Sequence, residues 1–315
     1  MLKSARKASV LSDSVSGVPG FCRALLTPAK INLGLKIVRR RSDGYHDIYS
    51  VMEPISLADT LYCEFTPAPD QAFSIDCPQL AALAGEDNLV LKAARRMVEI
   101  ADRRGCRKTG SWNFFLDKKI PTGAGLGGGS SNAAAVISLL DNFLELNLQE
   151  SEIVATAAAV GADVPFFLNP GLVLVTGTGD HLTRLGPPRP RYYLLVKPPF
   201  SVDTAWAYSA LHLGCETRMI SYDVGQFQQG ATTYGYELEN DFELVVSRRY
   251  PMLAEIRQRM TACSGCLGAR MSGSGSVIYA VYADLENALR AERQMQHSLR
   301  GQGCCFYVAR NLVGT

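Results

Sequence analysis

Five glycines fall within the seven residues Gly123–Gly129, and Ser130, Ser131 and Asn132 follow them directly. Backbone without Cβ atoms can bring several N–H groups within hydrogen-bonding distance of phosphate oxygens. A helix starting at the end of such a run points the positive end of its dipole at the same place. The stretch Pro121, Thr122, Gly123, Ala124, Gly125, Leu126, Gly127, Gly128, Gly129, Ser130 and Ser131 therefore reads as a phosphate cradle. The hydroxyls of Ser130 and Ser131 are candidates for contact with a phosphate oxygen or a magnesium ion. Gly123, Gly125 and Gly128 also fit the dinucleotide pattern G-x-G-x-x-G, but there the turn follows its strand directly, and here Asp117–Pro121 intervenes. No G-K-[ST] closes the run, which removes the P-loop. No H-R-D or D-F-G occurs, which removes the protein-kinase set.

A second cluster, Met271-Ser-Gly-Ser-Gly-Ser-Val277, is an ordinary tight turn when taken alone. Paired with the first, it suggests that Gly273, Ser274 and Gly275 form a second backbone wall over the same phosphates. Asp163 is the third feature. It follows a helix end at Gly161 and sits among Ala162, Val164, Pro165 and Phe166. An aspartate in such company is either buried and paired or functional, the plain alternative being a cap on the next turn.

These residues need elements to hold them. Residues 23–38 read as strand, Arg39–Gly44 as a basic turn and Ile48–Glu64 as further strand. Pro67–Pro78 is loop or sheet edge, and Asn88–Arg103 has helical spacing through Leu89, Ala93, Met97 and Ile100. Trp112–Leu116 is a short strand. Ser130-Ser131-Asn132 offers N-cap chemistry for a helix to about Leu146, and Ser151 does so for a helix ending at Gly161. Further strands are expected at Leu172–Val175, Tyr192–Val196 and Val277–Tyr282, with helices near Pro251–Thr261 and Asp284–Leu299. The proline cluster Gly186–Pro190 is the candidate linker. Strands and helices mix on both sides of it, which points to two α+β domains: 23–186 and 187–315, behind a flexible extension over 1–22.

Composition sets the frame. With 47% apolar and 20% charged residues the chain is that of a compact protein, and 32 basic against 30 acidic residues call for neither nucleic acid nor a membrane surface. No apolar run approaches the roughly 20 residues that span a bilayer. Nine cysteines at irregular spacing, including Cys215 and the pair Cys263-Ser-Gly-Cys266, suit a reducing compartment better than a disulfide framework. A cytoplasmic protein, monomeric or a weak homodimer, is expected.

The segment Pro28-Ala29-Lys30-Ile31-Asn32 and the two glycine runs resemble, in order, the three motifs of the GHMP kinases. PAKINLGL (28–35), SDGYHDI (42–48), GAGLGGGSSNAA (123–134) and GADVPFF (161–167) look like the branch acting on a cytidylated methylerythritol in the non-mevalonate isoprenoid pathway. The match spans residues 24–310. The resemblance implies an N-terminal α/β ATP-binding domain and a smaller α+β C-terminal domain with the active site in the cleft between. It implies ATP and Mg as cofactors and a small molecule as the partner. By the same resemblance Asp163 is the general base and Lys30 its cationic partner. Tyr45 and His46 receive the cytosine, with Tyr208 over its other face and Trp206 and Phe200 as alternatives. Asn32, Thr204 and Asp241 match positions that bond the substrate, and Asn88 and Lys118 match positions that line the adenosine. Another GHMP kinase, for homoserine, mevalonate or a sugar, and a catalytically silent nucleotide sensor are the remaining readings.

Overall fold

The computed structural model describes residues 21–80, 85–211 and 239–312. Residues 1–20 of the expected extension, and Cys215, lie outside them. The chain forms two compact units that do not follow chain order. One comprises the described residues within 1–28, 58–120 and 128–169, and the other the described residues within 29–57, 121–127 and 170–315.

Two long strands, β1 (Phe21–Arg40) and β2 (His46–Pro67), run through both units and pair with each other. In the first unit, Thr60–Pro67 of β2 lies antiparallel to β4 (Gly110–Asp117), and β4 lies parallel to the edge strand β3 (Ala72–Asp76). A parallel pair needs a crossover, and α1 (Leu89–Arg104) supplies it. Asn88 caps α1, its side-chain oxygen accepting the Val90 N–H at 2.9 Å. Helices α2 (Gly128–Phe143), α3 (Glu150–Val160) and α4 (Val164–Leu168) complete this unit. Trp112, Phe65 and Phe143 meet at ring separations of 4.5–5.2 Å in its core.

In the second unit, Ile48–Met52 of β2 pairs antiparallel with β5 (Val173–Gly177), which pairs with β6 (His181–Arg184). A separate antiparallel sheet has the order β10-β7-β9-β8, from β7 (Tyr192–Lys197), β8 (Gly268–Met271), β9 (Ile278–Tyr282) and β10 (Cys305–Arg310). Its helices are α5 (Thr204–Ala210), α6 (Phe242–Arg249), α7 (Pro251–Thr261) and α8 (Leu285–Ser298). Strand β9 is buried along its whole length, as a central strand covered on both faces should be. The proline cluster runs between β6 and β7, inside this unit.

Two helix starts differ from expectation. α2 begins at Gly128, so Ser130, Ser131 and Asn132 belong to its first turn and are not caps. α3 begins at Glu150 behind Gln149, whose N–H donates to Glu152 at 2.9 Å; Ser151 is inside the helix. A capping box outcompetes a lone serine one residue later. Among the described residues no helix is long and apolar enough to cross a membrane.

Candidate active site

Lys30 and Asn32 point the same way from β1 because strand side chains alternate. Both are buried, Lys30 to 3% exposure, and Lys30 Nζ donates to Asn32 Oδ1 at 2.5 Å. Asn32 Nδ2 donates to Ser50 Oγ at 2.8 Å, and that hydroxyl donates to the Gly34 carbonyl at 2.7 Å. The Tyr279 hydroxyl, from β9, donates to the carbonyls of Asn32 and Leu33 at 3.1 and 3.2 Å. Every polar atom of Asn32 is thereby oriented, which fixes the oxygen that receives the lysine.

The two glycine runs close on this strand. Lys30 N–H donates to the Leu126 carbonyl at 2.9 Å. Ser272 Oγ accepts the Asn32 N–H at 3.3 Å and donates to the Gly125 carbonyl at 2.9 Å. Val277 N–H reaches the Ala124 carbonyl at 3.3 Å. Gly123, Gly125 and Gly127 adopt φ of +58°, +74° and +68°, a region that Cβ-bearing residues avoid. A Cβ on Gly125 would stand 2.0 Å from the Ser272 carbonyl oxygen. That glycine is required by the second glycine run, whatever ligand the loop holds.

Around the second run, Asn240 Nδ2 donates to the Met271 and Gly273 carbonyls, both at 2.8 Å. Thr204 and Ser274 share a hydroxyl–hydroxyl bond at 2.9 Å. Asp241 accepts the Ile37 N–H at 2.9 Å and pairs with Lys36 at 3.1 Å, while Glu239 also bonds Lys36. Burial lowers the Lys36 ammonium, but these two carboxylates outweigh it and hold it above its usual range.

The His46 and Tyr208 rings stack at 4.6 Å, and Phe242 packs edge-on to Tyr208 at 4.9 Å. Tyr45 beside them is 66% exposed. Burial and the nearby Arg40 guanidinium hold the His46 imidazole below its usual pKa. Phe200 and Trp206, the alternative aromatics, pack instead on Tyr250, Phe200 stacked at 4.9 Å and Trp206 edge-on at 5.9 Å.

The remaining sequence-derived residues lie in the first unit. Asp163 precedes α4, is half-buried, and makes no capping hydrogen bond, so the plain capping role does not apply. Asn88 is engaged as the α1 cap, and Lys118 Nζ pairs with buried Asp59 at 2.6 Å. Ser131 is buried and Ser130 half-buried in the first turn of α2. Sequence reasoning missed Ser50, Asp59, Asn240, Ser272 and Tyr279. Asp59 stands in a strand that also carries Ser50, Glu53, Thr60 and Glu64, so its type alone gave little signal. The others are ordinary polar residues until their partners are known.

Two family models match the chain: the GHMP kinases N terminal domain over residues 88–171 and the GHMP kinases C terminal over 223–301. A 4-diphosphocytidyl-2-C-methyl-D-erythritol kinase of Pelobacter propionicus is 36% identical over 288 residues, covering 91% of this chain and 98% of its own. The enzyme of that description from Synechococcus elongatus is 35% identical, with 91% and 95% covered. A crystal structure of 4-(cytidine 5'-diphospho)-2C-methyl-D-erythritol kinase superposes with a TM-score of 0.72 at 32% identity, covering 92% of this chain and all of that one. Homoserine kinase from Cytophaga hutchinsonii superposes at 0.71 but only 17% identity, over 96% and 98% of the two chains, a likeness of fold alone.

Proposed function

This chain belongs to the 4-diphosphocytidyl-2-C-methyl-D-erythritol kinases of the GHMP kinase family, and on that premise we propose that it uses Lys30 and Asp163 to pass the γ-phosphate of ATP to the 2-hydroxyl of the cytidylated methylerythritol. The observation that carries the reading is the single hydrogen-bonded assembly of the glycine loop, the second glycine run and the Lys30–Asn32 strand.

ATP fits the loop on chemical grounds. Three left-handed glycines give a backbone that can offer N–H groups to phosphate, and α2 begins where the loop ends. When bound, ATP with magnesium supplies the phosphoryl group and neutralises its charge. Ser130 and Ser131, in the first turn of α2, are the residues we assign to hold the metal. Gly273, Ser274 and Gly275 cover the phosphates, and Asn88 and Lys118 line the adenosine.

The acceptor is a tertiary alcohol, a weak nucleophile that must lose its proton. Asp163 takes that proton. Lys30 stabilises the charge that develops on the alcohol oxygen and the transferring group. Its ammonium is fixed by Asn32 and buried, where its field is least screened by water. Tyr45, His46 and Tyr208 receive the cytosine, a flat apolar face with polar edges. Asn32, Thr204 and Asp241 bond the polar groups of the substrate. The N-terminal ATP-binding domain is assigned to 23–186 and the C-terminal domain to 187–315. The protein acts in the cytoplasm as a monomer or weak homodimer.

The test is an ADP-release assay with the cytidylated methylerythritol beside homoserine, mevalonate and galactose. Turnover with the first alone is expected. Preference for any of the others, or no ADP release with any, would overturn the reading.

A further inference from the structure

Asp59 lies within β2, is fully buried, and has no part in the chemistry above. A carboxylate inside a protein is costly unless donors surround it. Four donors do so here, and they come from the two ends of one loop. Oδ1 accepts the backbone N–H groups of Lys119 and Ile120, both at 2.8 Å, the last two residues before Pro121. Oδ2 accepts Lys118 Nζ at 2.6 Å and Asn132 Nδ2 at 3.3 Å. Asn132 is in the first turn of α2, just past the glycines. Its own Oδ1 accepts the Thr27 hydroxyl at 2.6 Å, which fixes the amide so that its NH2 faces the carboxylate.

The glycine loop runs between those two stems. Glycine-rich backbone has more conformational freedom to lose than any other, and a cradle for phosphate is useful only when its shape exists before the ligand arrives. Fixing the ends of a loop removes much of that freedom. We propose that Asp59 is a positioning residue for the nucleotide: its carboxylate ties the stem at Lys118–Ile120 to the stem at Asn132, and ATP affinity depends on that tie although Asp59 does not touch ATP. The proposal rests on the reading of the glycine loop as the phosphate site.

A purely structural Asp59 would lower stability without singling out one ligand, so the test compares ligands. Asp59→Asn keeps the shape and an acceptor for Lys119 and Ile120, but places an NH2 against the Lys118 ammonium and the Asn132 amide. Asn132→Ala cuts the α2 stem, and with it the bond from Thr27, while leaving the Asp59 bonds to Lys118, Lys119 and Ile120. ADP affinity by calorimetry, KM for each substrate, kcat and amide exchange at Lys119 and Ile120 are measured on the full chain. In Asp59→Asn, ADP affinity and the KM for ATP are expected to worsen about tenfold, the size of one lost charge-assisted hydrogen bond. The KM for the cytidylated substrate stays within about twofold, exchange at Lys119 and Ile120 quickens, and Asn132→Ala shifts nucleotide affinity the same way by less. Unchanged ADP affinity in a folded Asp59→Asn protein overturns the proposal, as does an equal loss for both ligands. If Asp59→Asn fails to fold, Asn132→Ala decides by the same two criteria. Wild-type protein that binds no ADP would remove the phosphate-site reading and the tie with it. Wild-type binding with indifferent variants removes the tie alone.

Discussion

A lysine exposed to only 3% needs an acceptor, and Asn32 is one. Asp163 differs in kind: it sits at a helix start and makes no capping hydrogen bond there. Asp163→Asn keeps the shape and removes the group proposed as the base. We expect kcat to fall by about 10²–10⁴-fold with ADP affinity nearly unchanged, checked by steady-state kinetics and calorimetry. For His46 the sign of the pH effect follows from its environment. Burial and Arg40 lower its pKa, so the neutral ring persists below the usual value of about 6.5 and is lost only as pH falls through the depressed pKa. The KM for the cytidylated substrate should therefore be flat above pH about 6.5 and rise only on further acidification. In His46→Gln that acid limb should vanish, and its persistence would place the titrating group elsewhere. Tyr45→Ala should raise the same KM by about 10–100-fold through lost stacking and leave the KM for ATP unchanged.

The glycine loop is an element whose members have different duties. Gly125 has φ of +74° and the Ser272 carbonyl oxygen where its Cβ would be. Gly129 lies inside α2, and its nearest neighbour to a Cβ is Leu89 at 3.6 Å, ordinary contact. Gly125→Val should therefore lower the melting temperature as well as nucleotide affinity, because it forces the two glycine runs apart. Gly129→Ala should leave the fold intact or stabilise it by about 0.5–1 kcal/mol, as alanine is the better helix former. Any loss of ADP affinity in Gly129→Ala then reports how closely phosphate approaches α2. Thermal melts and calorimetry on the pair separate packing from ligand contact.

At the scale of the whole molecule, the C-terminal segment holds the second unit together. Tyr193 and Asn311 donate to the buried Glu53 carboxylate, Asn311 at 3.0 Å, and Arg191 stands 3.7 Å away. Burial raises the Glu53 carboxyl above its usual range against the pull of Arg191, a sign of how completely the cluster excludes water. Leu312 N–H donates to the Pro54 carbonyl at 3.0 Å, and Arg310 N–H to Ser56 Oγ at 3.0 Å. Glu53→Ala leaves Arg191 buried without this carboxylate and should cost about 3–5 kcal/mol, seen in denaturant unfolding. In the fraction that stays folded, both KM values should be near normal. A selective change in either KM would mean that the cluster acts on the site and is more than a brace.

The sequence by itself determined what depends on neighbours in the chain. Alternation placed β1 and helical spacing placed α1, because each buries one face of its own residues, while β2, β4, β7 and β9 read as apolar runs and α7 and α8 as segments between turn residues. The dense glycines marked the loop at Gly123–Gly129 as unusual, and Gly123, Gly125 and Gly127 do take left-handed φ. The short elements β6, β8, β10, α4, α5 and α6 escaped, being too short to show a period. Two helices start earlier than their expected caps, α2 at Gly128 and α3 at Glu150, the latter behind a capping box. Partners distant in sequence were decided only by the tertiary structure: Asp59 with Asn132, Ser272 with Gly125, Tyr279 with Asn32, and Glu53 with Asn311. A hydrogen bond across scores or hundreds of residues leaves no local mark, because either residue alone is an ordinary polar side chain until folding removes the water that would otherwise satisfy it.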